Sequence, residues 1–188
     1  MLPVALLPVA VSCSLAGTDV EPGLPTGRIS GGNTLVYRAN DRPVVAHNDS
    51  SFGTIIISVL GGRQPVNGFL DANNVLTIRA VDFQNVGVAG QQQHTLHLVV
   101  PGFRGQGSYA LAVPGTTYQE DPYTDARTLS TGQSVPFFPV ASAPQQLVVT
   151  VWDTTARRLQ GTFRFTAAAP TTGQAVVLTD GRFDVLLD

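Results

Sequence analysis

The stretch Leu159-Gln160-Gly161-Thr162-Phe163-Arg164-Phe165-Thr166-Ala167 alternates apolar and polar residues. One set of alternate positions holds Leu159, Gly161, Phe163 and Phe165, and the other holds Gln160, Thr162, Arg164 and Thr166. Successive side chains of a β-strand point to opposite faces, so this pattern indicates a strand with one face on a core and the other in solvent. The stretch therefore predicts an antiparallel sheet that is buried on one side.

Similar segments lie on both sides of this stretch and are separated by turn residues. The apolar or alternating runs cover residues 35–39, 44–47, 54–60, 75–81, 94–100, 108–113, 146–152, 175–179 and 182–187. Asn40-Asp41-Arg42-Pro43 predicts a turn after the first run, and Asp180-Gly181 predicts a two-residue hairpin turn between the last two. About nine to ten short strands without a helical stretch predict one all-β domain over residues 33–188, an antiparallel β-sandwich or alternatively an open β-barrel.

The composition excludes two other classes of protein. The chain has 188 residues, and its 11 basic residues are all Arg, against 13 acidic residues, which gives a net charge of −2. Lys, Glu and Met are among the best helix formers, and all three are scarce or absent, so a helical bundle is excluded. The charge balance also excludes a basic nucleic-acid binder.

The N-terminal segment indicates a bacterial lipoprotein. Residues 1–12 form an uncharged apolar run that is too short to span a bilayer as a helix but has the length of the apolar region of a signal peptide. Cys13, the single cysteine, follows the run directly, and Ala10-Val11-Ser12-Cys13 resembles a lipobox, in which the cysteine is lipidated. The alternative is a small buried hydrophobic residue. Residues 13–32, rich in Gly, Pro, Ser and Thr, then predict a flexible tether.

The C-terminal half resembles a known family. Residues 159–167 and 177–185 resemble the "SGTFSFTA … ITDGRFDV" ending of the DUF6252 family of Bacteroidota lipoproteins, whose function is unknown, and residues 101–111 and 35–45 fit further parts of its pattern. The resemblance covers residues 33–188. It implies a lipid anchor, a cell-envelope location and an all-β fold, and it carries no activity, ligand or catalytic residue.

The motif residues themselves have a structural interpretation. We expect Gly161 to admit a neighbouring ring or backbone, Asp180 and Gly181 to supply a positive φ angle at the hairpin, and the three phenylalanines of the motif to lie in the core. These are Phe163, Phe165 and Phe183. An alternative is that Asp180, Arg182 and Asp184 form a site.

Candidate functional residues cluster in the segment 116–127. Glu120, Asp121 and Asp125 are a candidate Ca²⁺ site, because carboxylates in a loop can bind calcium together with backbone oxygens. Tyr118 and Tyr123, together with Trp152 at the end of a predicted strand, are candidate ligand-facing aromatics that could stack against sugar rings.

The remaining chemistry is sparse. His94 and His97 are three apart in a predicted strand, so they should face opposite sides and cannot bind one metal together. We interpret them as ordinary surface histidines, and no cofactor and no metal centre is predicted. Asp153-Thr154-Thr155 resembles the short motif at which Bacteroidota O-glycosylate exported proteins.

The sequence as a whole predicts a protein held by a lipid anchor at the outer membrane of the cell envelope. Its β-sandwich would be a non-catalytic binding or structural module, with a glycan or another envelope protein as its partner. The alternatives are a dedicated carbohydrate-binding module and a glycan-active enzyme, the latter requiring two carboxylates about 5–10 Å apart.

Overall fold

A computed structural model describes residues 33–48, 64–82, 92–122 and 135–188. These residues form eleven β-strands. The strands are β1 (Thr34–Ala39), β2 (Arg42–His47), β3 (Val66–Leu70), β4 (Leu76–Val81), β5 (Gln92–Val100), β6 (Gly107–Tyr109), β7 (Thr117–Pro122), β8 (Val135–Pro139), β9 (Gln146–Asp153), β10 (Arg158–Ala168) and β11 (Ala175–Leu186). The described segments contain no helix long and apolar enough to cross a membrane. The leader 1–12, the tether 13–32 with Cys13, and the predicted strand 54–60 lie outside the described residues.

The strands form one antiparallel sheet that folds back on itself. One half has the order β2-β1-β11-β10-β9-β6, and the other has the order β3-β4-β5-β7-β8. The halves are joined where Ala167 and Ala168 of β10 pair with Pro139 and Phe138 of β8. β3, the end strand of the second half, also approaches the first half, where among the described residues Gly68 forms a parallel bridge with Leu187, directly after β11. The sheet is thereby nearly closed, which confirms the all-β prediction and places the fold between a sandwich and a barrel.

The dipeptide Asp180-Gly181 does not form the predicted hairpin. It lies inside the continuous strand β11, which pairs with β10 on one side and with β1 on the other. Both pairings shift register here, and Asp180 has a φ of 53°, so the dipeptide forms a β-bulge. Bulges and tight hairpins both use left-handed residues, and the dipeptide alone does not distinguish them. A two-residue turn of the left-handed type occurs instead at Asn40 and Asp41, with φ angles of 47° and 67°, where the sequence predicts a turn.

Three strands were not predicted, namely β3, β7 and β8. The sequence of β7 is Thr-Tyr-Gln-Glu-Asp-Pro and that of β8 is Val-Pro-Phe-Phe-Pro. Acidic residues and prolines are uncommon in strands, so both segments resemble loops. β7 pairs with β5 and β8, and β8 pairs with β7 and β10, which stabilises both as strands despite these local preferences. The predicted strand 108–113 is shorter than expected, because β6 ends at Tyr109.

Glycines and phenylalanines face each other in the core between β10 and β11. Gly161 pairs with Phe183, and Phe163 pairs with Gly181. A Cβ atom on Gly161 would lie 2.1 Å from the Val148 carbonyl oxygen and 2.4 Å from Phe183 Cζ. A Cβ atom on Gly181 would lie 2.5 Å from the Phe163 carbonyl oxygen. Each ring therefore occupies the space over the opposite glycine. Phe163, Phe165 and Phe183 are 3%, 1% and 2% exposed, which confirms their predicted place in the core.

The first described residue lies beside the last strand. Asn33 Oδ1 accepts a hydrogen bond from the backbone N–H of Leu186 at 2.6 Å. Nearby, the buried carboxylate of Asp184 accepts two hydrogen bonds from Arg158 and one from Gln160 Nε2 at 3.0 Å. These contacts satisfy the carboxylate inside the sheet and give Asp184 a structural role.

Candidate functional site

The predicted calcium loop is a strand. Glu120 and Asp121 are consecutive residues of β7, so their side chains leave the sheet on opposite faces and do not converge. Asp125, the third predicted ligand, lies outside the described residues. Among the described ranges, no group of three or more His, Cys, Asp and Glu side chains is placed to hold a metal ion.

Tyr118 is a core residue and not an exposed aromatic, which corrects the prediction that it faces a ligand. Its side chain is 0% exposed, because β7 pairs with both β5 and β8 and turns Tyr118 inward. The ring meets that of Tyr37 edge-on, with centroids 6.2 Å apart, and its hydroxyl donates a hydrogen bond to Glu120 Oε1 at 3.0 Å. Tyr123 lies outside the described residues.

Trp152 is half-buried beneath the loop that precedes β6. Its ring lies 5.6 Å from that of Phe103 in an edge-to-face arrangement. A Cβ atom on Gly105 would lie only 3.0 Å from Trp152 Cδ1, so the loop backbone covers this part of the indole. The tryptophan is partly buried against the core, and its role as a ligand-facing aromatic stays a prediction.

A row of polar residues crosses the inner face of the sheet at the ends of β4, β5 and β7. The N–H of Asp82 donates to the carbonyl of His94 at 2.9 Å, and His94 pairs with Glu120. Residues directly opposite each other in an antiparallel pair share a face. His94 also meets the Tyr118 ring edge-on, with centroids 5.9 Å apart. We call Asp82, His94 and Glu120 the inner polar row.

Burial dominates the electrostatics of this row. It lowers the pKa of His94 to about 4, and the positive charge of Arg42 contributes to the shift. Burial also raises the pKa of Tyr118 and that of Tyr37, and the carboxylates of Asp82 and Glu120 raise both further. At neutral pH the imidazole of His94 is therefore uncharged, and the phenols of Tyr37 and Tyr118 beside the row are protonated. A general base works best with a pKa near the working pH, so His94 is poorly suited to that role.

Sequence reasoning missed the inner polar row for an identifiable reason. Asp82, His94 and Glu120 belong to three neighbouring segments of the sheet, and only the register brings them together. The prediction that His94 and His97 face opposite sides agrees with their strand positions. The interpretation of His94 as an ordinary surface histidine is wrong, because its ring packs against Tyr118 and burial shifts its pKa.

A separate groove opens on the outer surface beside β6. Its volume is about 460 Å³, and it is lined by Ser108, Tyr109, Ala110, Pro144, Gln145, Gln146 and Arg164. β6, β9 and β10 supply four of these residues, Ala110 directly follows β6, and Pro144 and Gln145 directly precede β9. The alternation of β10 predicts that Arg164 faces solvent, but no sequence pattern indicates the groove itself.

Two side chains of the groove are fixed in place. The Tyr109 hydroxyl donates to the Gly105 carbonyl at 2.7 Å and accepts from the Arg104 N–H at 3.1 Å. Gln145 Oε1 accepts from the Leu111 N–H at 3.0 Å. These bonds hold the walls of the groove in one arrangement before any ligand arrives, which reduces the entropic cost of binding.

The motif Asp153-Thr154-Thr155 lies in the turn between β9 and β10. Asp153 Oδ1 accepts hydrogen bonds from the N–H groups of Thr155 and Ala156, both at 2.9 Å, which shapes the turn. Both threonines are exposed, so their hydroxyl groups are accessible. O-glycosylation at this site stays a prediction.

Comparisons of the chain with protein-family models, with curated proteins and with solved structures found no match. The resemblance to the Bacteroidota lipoprotein family therefore stays a prediction.

Proposed function

We propose that the protein is lipid-anchored in the bacterial cell envelope, at the outer membrane, and that its β-domain is a non-catalytic binding module. The observation that carries the binding role is the groove lined by Tyr109, Gln145 and Arg164. Its volume of about 460 Å³ falls in the range of roughly 300–1,000 Å³ that is typical of small-ligand sites. Its hydrogen-bonded walls are a feature of a preformed site.

The proposed anchor rests on Cys13 and the segments around it. An uncharged leader precedes the cysteine, and Asn33, where the described domain begins, lies 20 residues after it. A chain of that length spans at most about 70 Å when fully extended, enough to hold the domain clear of a membrane surface. The membrane is thus the first proposed partner, and nucleic acid is not one.

Lipidation is tested by expressing the full chain in a bacterial host with palmitate labelling. The wild type should incorporate label and partition into the detergent phase, and Cys13→Ser should lose both properties. Ser12→Ala is the matched control, because it keeps a small residue before the cysteine and should be processed normally. A Cys13→Ser protein that still carries label would overturn the anchor.

The proposal of a non-catalytic role is supported by the state of the inner polar row. The Glu120 carboxylate already accepts the Tyr118 hydroxyl, and the lowered pKa keeps His94 neutral near pH 7. Hydrolysis of a glycosidic bond needs one carboxyl group as acid and a second as base or nucleophile. The residues that line the groove include no carboxylate.

A glycan is the ligand class that the groove favours. Its lining combines amide, hydroxyl and aromatic groups, which can hydrogen-bond sugar hydroxyls and contact the apolar face of a sugar ring. Ala110→Trp should fill the groove and abolish retention on a glycan array. Thr172→Trp, at an exposed turn position outside the groove, is the matched control and should bind normally. If no glycan on a broad array is retained by the wild type, the glycan proposal fails.

A further inference from the structure

We infer that the groove selects glycans that carry a carboxylate, such as uronic-acid sugars, and that Arg164 is the residue that recognises the acid group. This inference rests on the proposed function, because it names the ligand class of the same groove. Three observations support it: the state of the Arg164 guanidinium, the neutrality of the other lining residues, and the arrangement of the polar groups on neighbouring strands.

The guanidinium of Arg164 is available to a ligand. The residue is exposed and lies on the outer face of β10, and within the described ranges its guanidinium forms no ion pair or hydrogen bond. Its cross-strand partner on β9 is Gln146. The amide of Gln146 is neutral, whereas an acidic residue at this position would neutralise the charge of Arg164. On the other side, Asp180 lies in the bulge of β11 and pairs instead with Arg38, at 3.5 Å.

Arg164 alone sets the charge of the groove. The other lining residues are Ser108, Tyr109, Ala110, Pro144, Gln145 and Gln146, and none of these carries a charge near neutral pH. The groove is therefore locally positive on a chain whose net charge is −2. A guanidinium presents two parallel N–H donors that match the two oxygens of a carboxylate, which adds geometric selectivity to charge attraction.

Two neutral side chains of the same groove are also available to a ligand. The side chains of Ser108 and Gln146 have no hydrogen-bond partner among the described residues. Gln146 pairs with Arg164, and Ser108 pairs with Val148, two positions along β9. Arg164, Gln146 and Ser108 thus form a polar diagonal over three strands, which spans about 12 Å at the usual strand spacing and residue rise. A sugar ring with its carboxylate on Arg164 would place its hydroxyls along this diagonal.

The test compares two forms of one ligand that differ in charge. Oligogalacturonate is titrated into the protein by calorimetry, and the same oligomer with its carboxylates methyl-esterified is the neutral probe. We expect the wild type to bind the acidic form at least about tenfold more tightly, the gain typical of a charged hydrogen bond. Added salt should reduce this preference, because the groove is open to solvent.

Variants assign the preference to its residue. Arg164→Gln should remove the preference and leave weak binding of both probes, whereas Arg164→Lys should keep part of it. Arg42→Gln removes an exposed guanidinium on β2 that does not line the groove, so it should behave as the wild type. A preference that survives in Arg164→Gln, or a wild type that binds both probes equally, would overturn the inference.

The outcomes for the inference and for the proposed function are separable. Equal binding of both probes that Ala110→Trp abolishes would leave the glycan-binding groove standing and reject only the selection of acids. Binding of neither probe, nor of any acidic glycan on an array, rejects the inference. If neutral glycans are also not retained, the proposed glycan function is rejected with it.

Discussion

Replacing Gly161 by alanine tests whether the glycine–phenylalanine packing defines this fold. The new Cβ would lie 2.1 Å from the Val148 carbonyl oxygen, so β9 would have to move by about 1 Å to restore a normal contact. It would also lie 2.4 Å from Phe183 Cζ, and that ring is confined in the core. Overpacking typically costs about 1–3 kcal/mol, and we expect about 3 kcal/mol here, because the first obstacle is the backbone of a paired strand.

The assay is equilibrium unfolding in urea, followed by the fluorescence of Trp152, the single tryptophan. A loss of this size should also lower the melting temperature by about 6–12 °C in a domain of this length. Gly102→Ala is the control, since Gly102 has a φ of 64° and nothing lies within 4 Å of its Cβ position. It should cost only about 1 kcal/mol, from backbone strain alone.

A double variant separates the two obstacles. Phe183→Leu removes the ring atoms over Gly161, so Gly161→Ala should cost about 1 kcal/mol less in that background than in the wild type. The packing argument is refuted if Gly161→Ala is no more destabilising than Gly102→Ala. If Gly161→Ala costs the same free energy of unfolding with and without the Phe183 ring, the contribution of the ring is refuted, and the Val148 backbone alone is the obstacle.

Two further predictions concern other parts of the domain. The lowered pKa of His94 means that the unfolded chain binds a proton more readily, so the free energy of unfolding should fall by a few kcal/mol as the pH drops from about 6.5 to about 4. His94→Phe keeps a ring beside Tyr118 and should remove this part of the pH dependence in urea titrations; an unchanged slope would contradict the assignment. Leu187→Ala should cost about 2–4 kcal/mol in the same assay, because Leu187 is 5% exposed at the bridge to Gly68. Leu186→Ala, at a 42% exposed neighbour, should cost far less, and equal losses would show that the bridge is not a point of closure.

The sequence predicts the strands in which apolar and polar residues alternate regularly. It does not predict the strands that form because neighbouring strands pair with them. β10 follows its period-2 pattern, with Phe163 and Phe165 inward and Arg164 outward. β7 and β8 carry acidic residues or prolines that indicate a loop, and only their neighbours in the sheet make them strands. The same cause hides the inner polar row, since a chain without its register provides no reason to place Asp82 beside His94 and Glu120.

Short sequence motifs are also compatible with more than one local structure. Asp180-Gly181 indicates a left-handed residue, and the structure uses it for a bulge within one long strand instead of a hairpin. Tyr118 and Trp152 resemble loop aromatics because the sequence shows chain position but not burial. The groove has no sequence signature, because its lining comes from β6 and the residue after it, from β9 and the residues before it, and from β10, all brought together by the fold.

The hydrogen bond from Leu186 to Asn33 fixes where the chain enters the sheet. Arg158 pairs with Leu186, so both ends of the domain lie at that level of the sheet, and Arg164 is six residues further along β10. At the usual rise of a strand, this separates the groove from the tether attachment by about 20 Å. In a protein held through Cys13, a tag added after Asp188 would lie near the attachment of the tether, while the groove would lie about six residues further along β10 and clear of it.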